Sequence, residues 1–168
     1  MQFIALVTIL AFQNPLTPRG ILDAINLAGA AKTVSSLLAD ETRWDSLLAS
    51  IGTGEPDWLT VAARLGPAAD GHASETLNMA LQEALPKNPT GVLQLVREGI
   101  FTVEDACGMY GFGQIEDQRP VAVLIQLVDA RLAAVETVTS SKLATVRESC
   151  LRELRGLRQV LQKQGPAR

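Results

Sequence analysis

Residues 44–65, WDSLLASIGTGEPDWLTVAARL, and residues 77–100, LNMALQEALPKNPTGVLQLVREGI, read as one two-helix unit written twice. In the first copy Trp44, Leu47, Leu48 and Ile51 stand at i, i+3, i+4 and i+7, the spacing that gathers apolar side chains on one helical face. Leu77, Ala80, Leu81 and Ala84 repeat that spacing 33 positions later. A second stripe follows in each copy, with Trp58, Val61, Ala62 and Leu65 answered by Val92, Leu93, Val96 and Ile100. Pro56 and Pro89, again 33 apart, introduce these second helices. Proline suits the first turn of a helix, where its missing N–H would have no intrahelical partner. Of the residues just before them, Asn88 is a good helix N-cap and Glu55 a poor one. The pattern predicts stacked helical hairpins, with Trp44 and Trp58 packing one unit against the next instead of offering ring faces to a ligand, and with Leu81 and Leu154 in the core.

The 168 residues, 47% of them hydrophobic, suffice for one well-cored domain. Ala and Leu dominate the periodic segments, and Val, Ile and the aromatics are not gathered into alternating runs, so the expected fold class is all-α. A net charge of −3 argues against a general nucleic-acid binder, which needs a basic surface to offset phosphate. The charge is uneven, because residues 142–168 carry seven Lys/Arg against two acids, leaving −8 on residues 1–141. The preferred reading is a solvated helix face with cations near a C-terminus, where the helix dipole favours them, and the other is steering of an acidic partner.

At the N-terminus Phe3 to Phe12 is apolar but for Thr8, too short to span a bilayer. Residues 1–17 therefore read as a secretory signal or as a buried apolar segment, with export preferred. No Lys or Arg precedes the run, and Ala11-Phe12-Gln13 is a poor small-x-small cleavage site. Cys107 and Cys150 leave the compartment open on their own: they suit a bond in an oxidising environment or buried thiols in a reducing one. Their spacing is not that of a CxxC motif, and a single histidine makes a Cys/His zinc site implausible, so no metal or cofactor is expected.

In chain order, residues 18–38 suggest one helix interrupted near Gly29 or two short ones. Asp40 to Thr42 supplies capping chemistry for the Trp44 helix, Gly52-Thr53-Gly54 ends it, Gly66-Pro67 stops the next, and Ser74 is the expected N-cap of the Leu77 helix, which Pro86 ends. After Ile100 comes a short helical turn and then a glycine-rich loop, Gly108 to Gly113, holding Tyr110 and Phe112, a candidate functional loop. It lacks a preceding strand and a GK[ST] sequence, and nearby Glu104, Asp105, Glu116 and Asp117 would repel phosphate. Two long helices close the chain. Val121, Leu124, Val128, Leu132 and Val135 stripe one, and Leu143, Val146, Cys150, Leu154, Leu157 and Leu161 stripe the other, predicting an antiparallel hairpin with a turn near residues 137–141. Gly165-Pro166 ends it, with residues 165–168 expected to fray.

The strongest enzymatic motif is Asp70-Gly71-His72-Ala73-Ser74, a carboxylate, an imidazole and a hydroxyl within five residues. Catalytic triads are normally assembled from separated segments, and turn formation and capping account for the same residues. Asp70 and His72 nonetheless remain candidate functional residues. The acids Glu104, Asp105, Glu116 and Asp117 could serve glycoside hydrolysis or hold a cation, but they lack EF-hand spacing and are expected to form a solvated rim.

Trp44-Asp45, Ile51-Gly52-Thr53-Gly54, Trp58-Leu59, Asp70-Gly71, Ala84-Leu85-Pro86, Asn88-Pro89, Val92-Leu93, Cys107-Gly108 and Cys150-Leu151 together resemble a group of uncharacterised, mostly exported small helical proteins of proteobacteria, over residues 40–155. The resemblance implies a periplasmic or secreted helical domain with Cys107 and Cys150 bonded, and it brings no activity. The two-helix repeat is also similar in architecture to HEAT-type and tetratricopeptide-type solenoids. The tetratricopeptide consensus is missing, and two units are fewer than the three a free-standing solenoid needs, so flanking helices would serve as caps. The expectation is a single helical domain over residues 18–164: a short HEAT-like array of antiparallel hairpins closed by a C-terminal two-helix hairpin. It would act as a non-catalytic binding or scaffold protein of the bacterial envelope, with a protein partner, no nucleic acid and no integral membrane span. The rivals are a small hydrolase using Asp70 and His72 or the carboxylates near the loop, and a cytoplasmic helical adaptor.

Overall fold

A computed structural model describes residues 16–108 and 119–164; the N-terminal apolar run, Tyr110, Phe112, Glu116, Asp117 and the final four residues lie outside the described residues. Among the described residues the chain is all-helical, with nine α-helices and no strand. They are α1 (Pro18–Ala28), α2 (Ala30–Leu38), α3 (Glu41–Ile51), α4 (Pro56–Leu65), α5 (Gly71–Ala84), α6 (Pro89–Arg97), α7 (Val103–Cys107), α8 (Val121–Glu136) and α9 (Ala144–Gln164).

The first break falls at Gly29, whose φ of 88° ends α1 where a side chain would be strained, so the segment is two helices. Asp40 caps α3 by accepting from the Arg43 N–H at 3.2 Å. Pro56 and Pro89 stand at the starts of α4 and α6; Glu55 makes no side-chain cap, whereas the Asn88 side chain accepts from the Gly91 N–H at 2.9 Å. The α6 stripe does not stay helical to Ile100. Gly99, at φ 73°, turns the chain, and the N–H groups of Gly99 and Ile100 bond Val96 and Leu95 carbonyls in a Schellman arrangement. Ile100 then packs on the core from outside the helix.

Ser74 is not the N-cap of α5. The helix begins at Gly71, with Asp70 at the cap position and no side-chain cap bond. The N–H groups of Ala73 and Ser74 already bond the Asp70 carbonyl, at 3.0 and 3.3 Å, and Ala73 is buried in the core. Burying that residue carries the helix start three positions upstream of the residue whose chemistry best suits a cap.

α3 packs against α4 and α5, α4 against α6, and α5 against α6. α1 and α2 pack on each other and on α4, and the α8–α9 pair closes the other end against α6. One apolar core runs through all of them, from Ile21 and Ile25 to Leu157 and Leu161. Trp44, Trp58, Leu81 and Leu154 are buried within it. Each large side chain so buried contributes roughly 1.5–3 kcal/mol of hydrophobic transfer. α8 and α9 are antiparallel, since Asp129 meets Arg158 and Glu136 meets Arg155, one number rising as the other falls.

Candidate functional site

The densest polar chemistry in the core lies where α5, α7 and α9 meet. Thr102 and Asp105 form a capping box at the start of α7: the Thr102 hydroxyl accepts from the Asp105 N–H at 3.1 Å, and the Asp105 carboxylate accepts from the Thr102 N–H at 2.8 Å. The same carboxylate accepts from the Asn78 side chain at 2.9 Å, and the Asp105 carbonyl accepts from the Gln82 amide at 3.0 Å. Asn78 and Gln82 are four residues apart on α5, hence on one face, and both are buried. Gln82 Oε1 is buried and accepts no hydrogen bond among the described residues. Two residues beyond Asp105, Cys107 is bonded to Cys150 of α9, with Sγ–Sγ 2.05 Å and Cα–Cα 5.5 Å, both cysteines fully buried. A five-residue helix is thus tied to α5 by side-chain amides and to α9 by a covalent bond.

Asp105 is therefore not part of a solvated rim. It is half-buried, with two donors on its carboxylate and a third, from Gln82, on its carbonyl, while Glu104 is exposed. Hydrogen bonds that fasten α5 to α7 leave this carboxylate a structural tie. Arg131, the other buried polar residue near this end, lies on the apolar stripe of α8 between Val128 and Val135. Burial pushes its guanidinium down to about 10; the charge of Glu83 opposes that shift and the charge of Arg119 adds to it. It stays protonated at neutral pH.

Asp70 and His72 sit at the exposed start of α5, and no hydrogen bond joins their side chains to each other or to Ser74. The His72 carbonyl accepts from the Thr76 hydroxyl at 2.8 Å, and that hydroxyl accepts from the Trp44 indole N–H at 3.1 Å. This turn is joined to α3 through its backbone and Thr76, with the imidazole outside the network. Among the described residues no group of three or more His, Cys, Asp or Glu side chains could hold a metal ion, and no helix is long and apolar enough to cross a membrane.

The basic C-terminal helix is partly neutralised within the fold. Arg155 and Arg158 reach Glu136 and Asp129 of α8 at 3.2 and 2.6 Å, and Arg147 pairs with Glu148 while donating to the Val138 carbonyl. The Asp129 carboxylate raises the affinity of Arg158 for its proton through a hydrogen bond and through charge. Two of the seven cations in the last 27 residues, Arg155 and Arg158, therefore bridge α8 and α9.

Asn78, Gln82 and Arg131 escape a reading of apolar stripes. The signal for Arg131 was a lone cation in register with Leu124, Val128 and Val135, and for Asn78 and Gln82 amides one residue beyond the apolar positions 77 and 81. Comparison of the chain with protein-family models, with curated proteins and with solved structures gives no match.

Proposed function

We propose that this chain is a non-catalytic helical binding or scaffold protein of the bacterial envelope, built as a short HEAT-like array closed by the α8–α9 hairpin. The observation that carries the compartment is the buried Cys107–Cys150 bond, because structural disulfides persist where the environment is oxidising. The resemblance to exported helical proteins supports the same reading. The array is supported by the equivalent offsets of its cross-links: Trp44 to Thr76, Gly52 to Lys87 and Gly54 to Asn88 join positions 32, 35 and 34 apart. Contacts at a nearly constant offset, close to the 33-residue sequence period, are what stacking of successive units requires, and they support this reading. The partner class is protein, since helical arrays present extended faces to other chains.

Of the hydrolase reading's residues, Asp70 and His72 are exposed and unconnected and Asp105 is occupied by structural donors, while Glu116 and Asp117 lie outside the described residues. Intact mass of the protein from its own cells, with and without reductant before alkylation, tests the envelope assignment. Two cysteines that alkylate only after reduction support it, and two that alkylate freely in the native extract overturn it in favour of the cytoplasmic adaptor. His72→Ala tests the non-catalytic half: loss of a measured hydrolysis with unchanged thermal stability would revive the enzyme.

A further inference from the structure

We draw no further inference here: the strongest candidate, the uncharged outer face of α8 formed by Ala122, Val123, Gln126, Leu127, Ala130 and Ala133, is an unpartnered apolar helix face, and nothing in the structure shows what covers it.

Discussion

The Asn88 side chain joins the start of α6 to the turn after α3: its amide donates to the Gly54 carbonyl at 2.8 Å while its oxygen accepts from the Gly91 N–H at 2.9 Å. One residue thus caps α6 and fastens it to the loop that ends α3. Alanine at this position removes both bonds and leaves two backbone groups without these partners. Asn88→Ala is expected to cost about 1–3 kcal/mol, a lost cap plus an under-satisfied carbonyl. Asn88→Asp keeps the cap acceptor but sets a carboxylate oxygen against the Gly54 carbonyl, so its cost combines loss of the bond to Gly54 with repulsion between the two oxygens. Urea denaturation of both variants is the measurement; an aspartate variant as stable as the native chain would show that the bond to Gly54 contributes nothing.

The disulfide closes a loop between positions 43 residues apart, and its contribution comes chiefly from restricting the unfolded chain. A loop of that length corresponds to about 4 kcal/mol in the chain-entropy account. The double variant Cys107→Ala, Cys150→Ala is expected to fold with its unfolding free energy lowered by about 4 kcal/mol and its urea midpoint lowered accordingly, since neither methyl leaves a polar group buried. Full reduction of the native chain, verified by alkylation, should shift the midpoint in the same direction. Midpoints that coincide with and without the bond would mean that α7 is held by Asn78 and Gln82 alone.

Gly66 ends α4 beneath the ring of Phe101. A Cβ at position 66 would lie 2.6 Å from Phe101 Cζ, and Phe101 is buried with little room to retreat. Gly66→Ala is expected to destabilise the fold by about 1–3 kcal/mol through overpacking. Phe101→Leu alone should also destabilise, by creating a gap, yet the two together should cost less than the sum of the singles, because the shorter side chain vacates the space the new methyl needs. Additive costs in that double-mutant cycle would remove the steric account.

What the sequence showed of this fold, and what it withheld, divide along the range of the forces involved. The stripe Trp44, Leu47, Ile51 and its echo Leu77, Ala80, Leu81, Ala84 report burial directly, since a face must be apolar to leave water whatever it packs against. Gly29, Pro56 and Pro89 mark breaks and starts because their backbone preferences are local. Ser74 misleads for the complementary reason: capping preference is worth about 1 kcal/mol, and the burial of Ala73 and Leu77 competes with it. The partners of Asp105 come from a helix 23 to 27 residues earlier in the chain, and no local pattern specifies which carboxylate meets which amide. The same limit holds for Arg158 with Asp129, 29 residues apart, where composition displays a basic helix and only the fold reveals its acidic complement. At Asp70 and His72 the motif was legible and the geometry was not, since nearness in sequence did not aim either side chain at the other.

Arg131 supplies the pH prediction. Burial lowers its guanidinium to about 10 in the folded chain, while an unfolded arginine holds its proton to a markedly higher pH. Below pH 10 both states carry the proton and the group adds no slope; above it the unfolded state binds more protons, so this group's contribution to stability rises with pH. The native chain should therefore show no pH dependence from this position between pH 6 and 9. Arg131→Lys moves the window downward. An unfolded lysine titrates at ~10.4, and burial among Leu124, Val128 and Val135 lowers the folded value from there, with the charge of Glu83 opposing the shift. Within that lower window the variant's stability is expected to rise with pH relative to the native chain, by up to about 1.4 kcal/mol for each unit of displacement between the folded and unfolded values. Urea denaturation of both proteins from pH 6 to 9.5 measures the difference directly. A difference that stays flat across the range would mean that a lysine at position 131 reaches water, and that the depression at Arg131 comes from the length of the guanidinium side chain and not from the depth of the site.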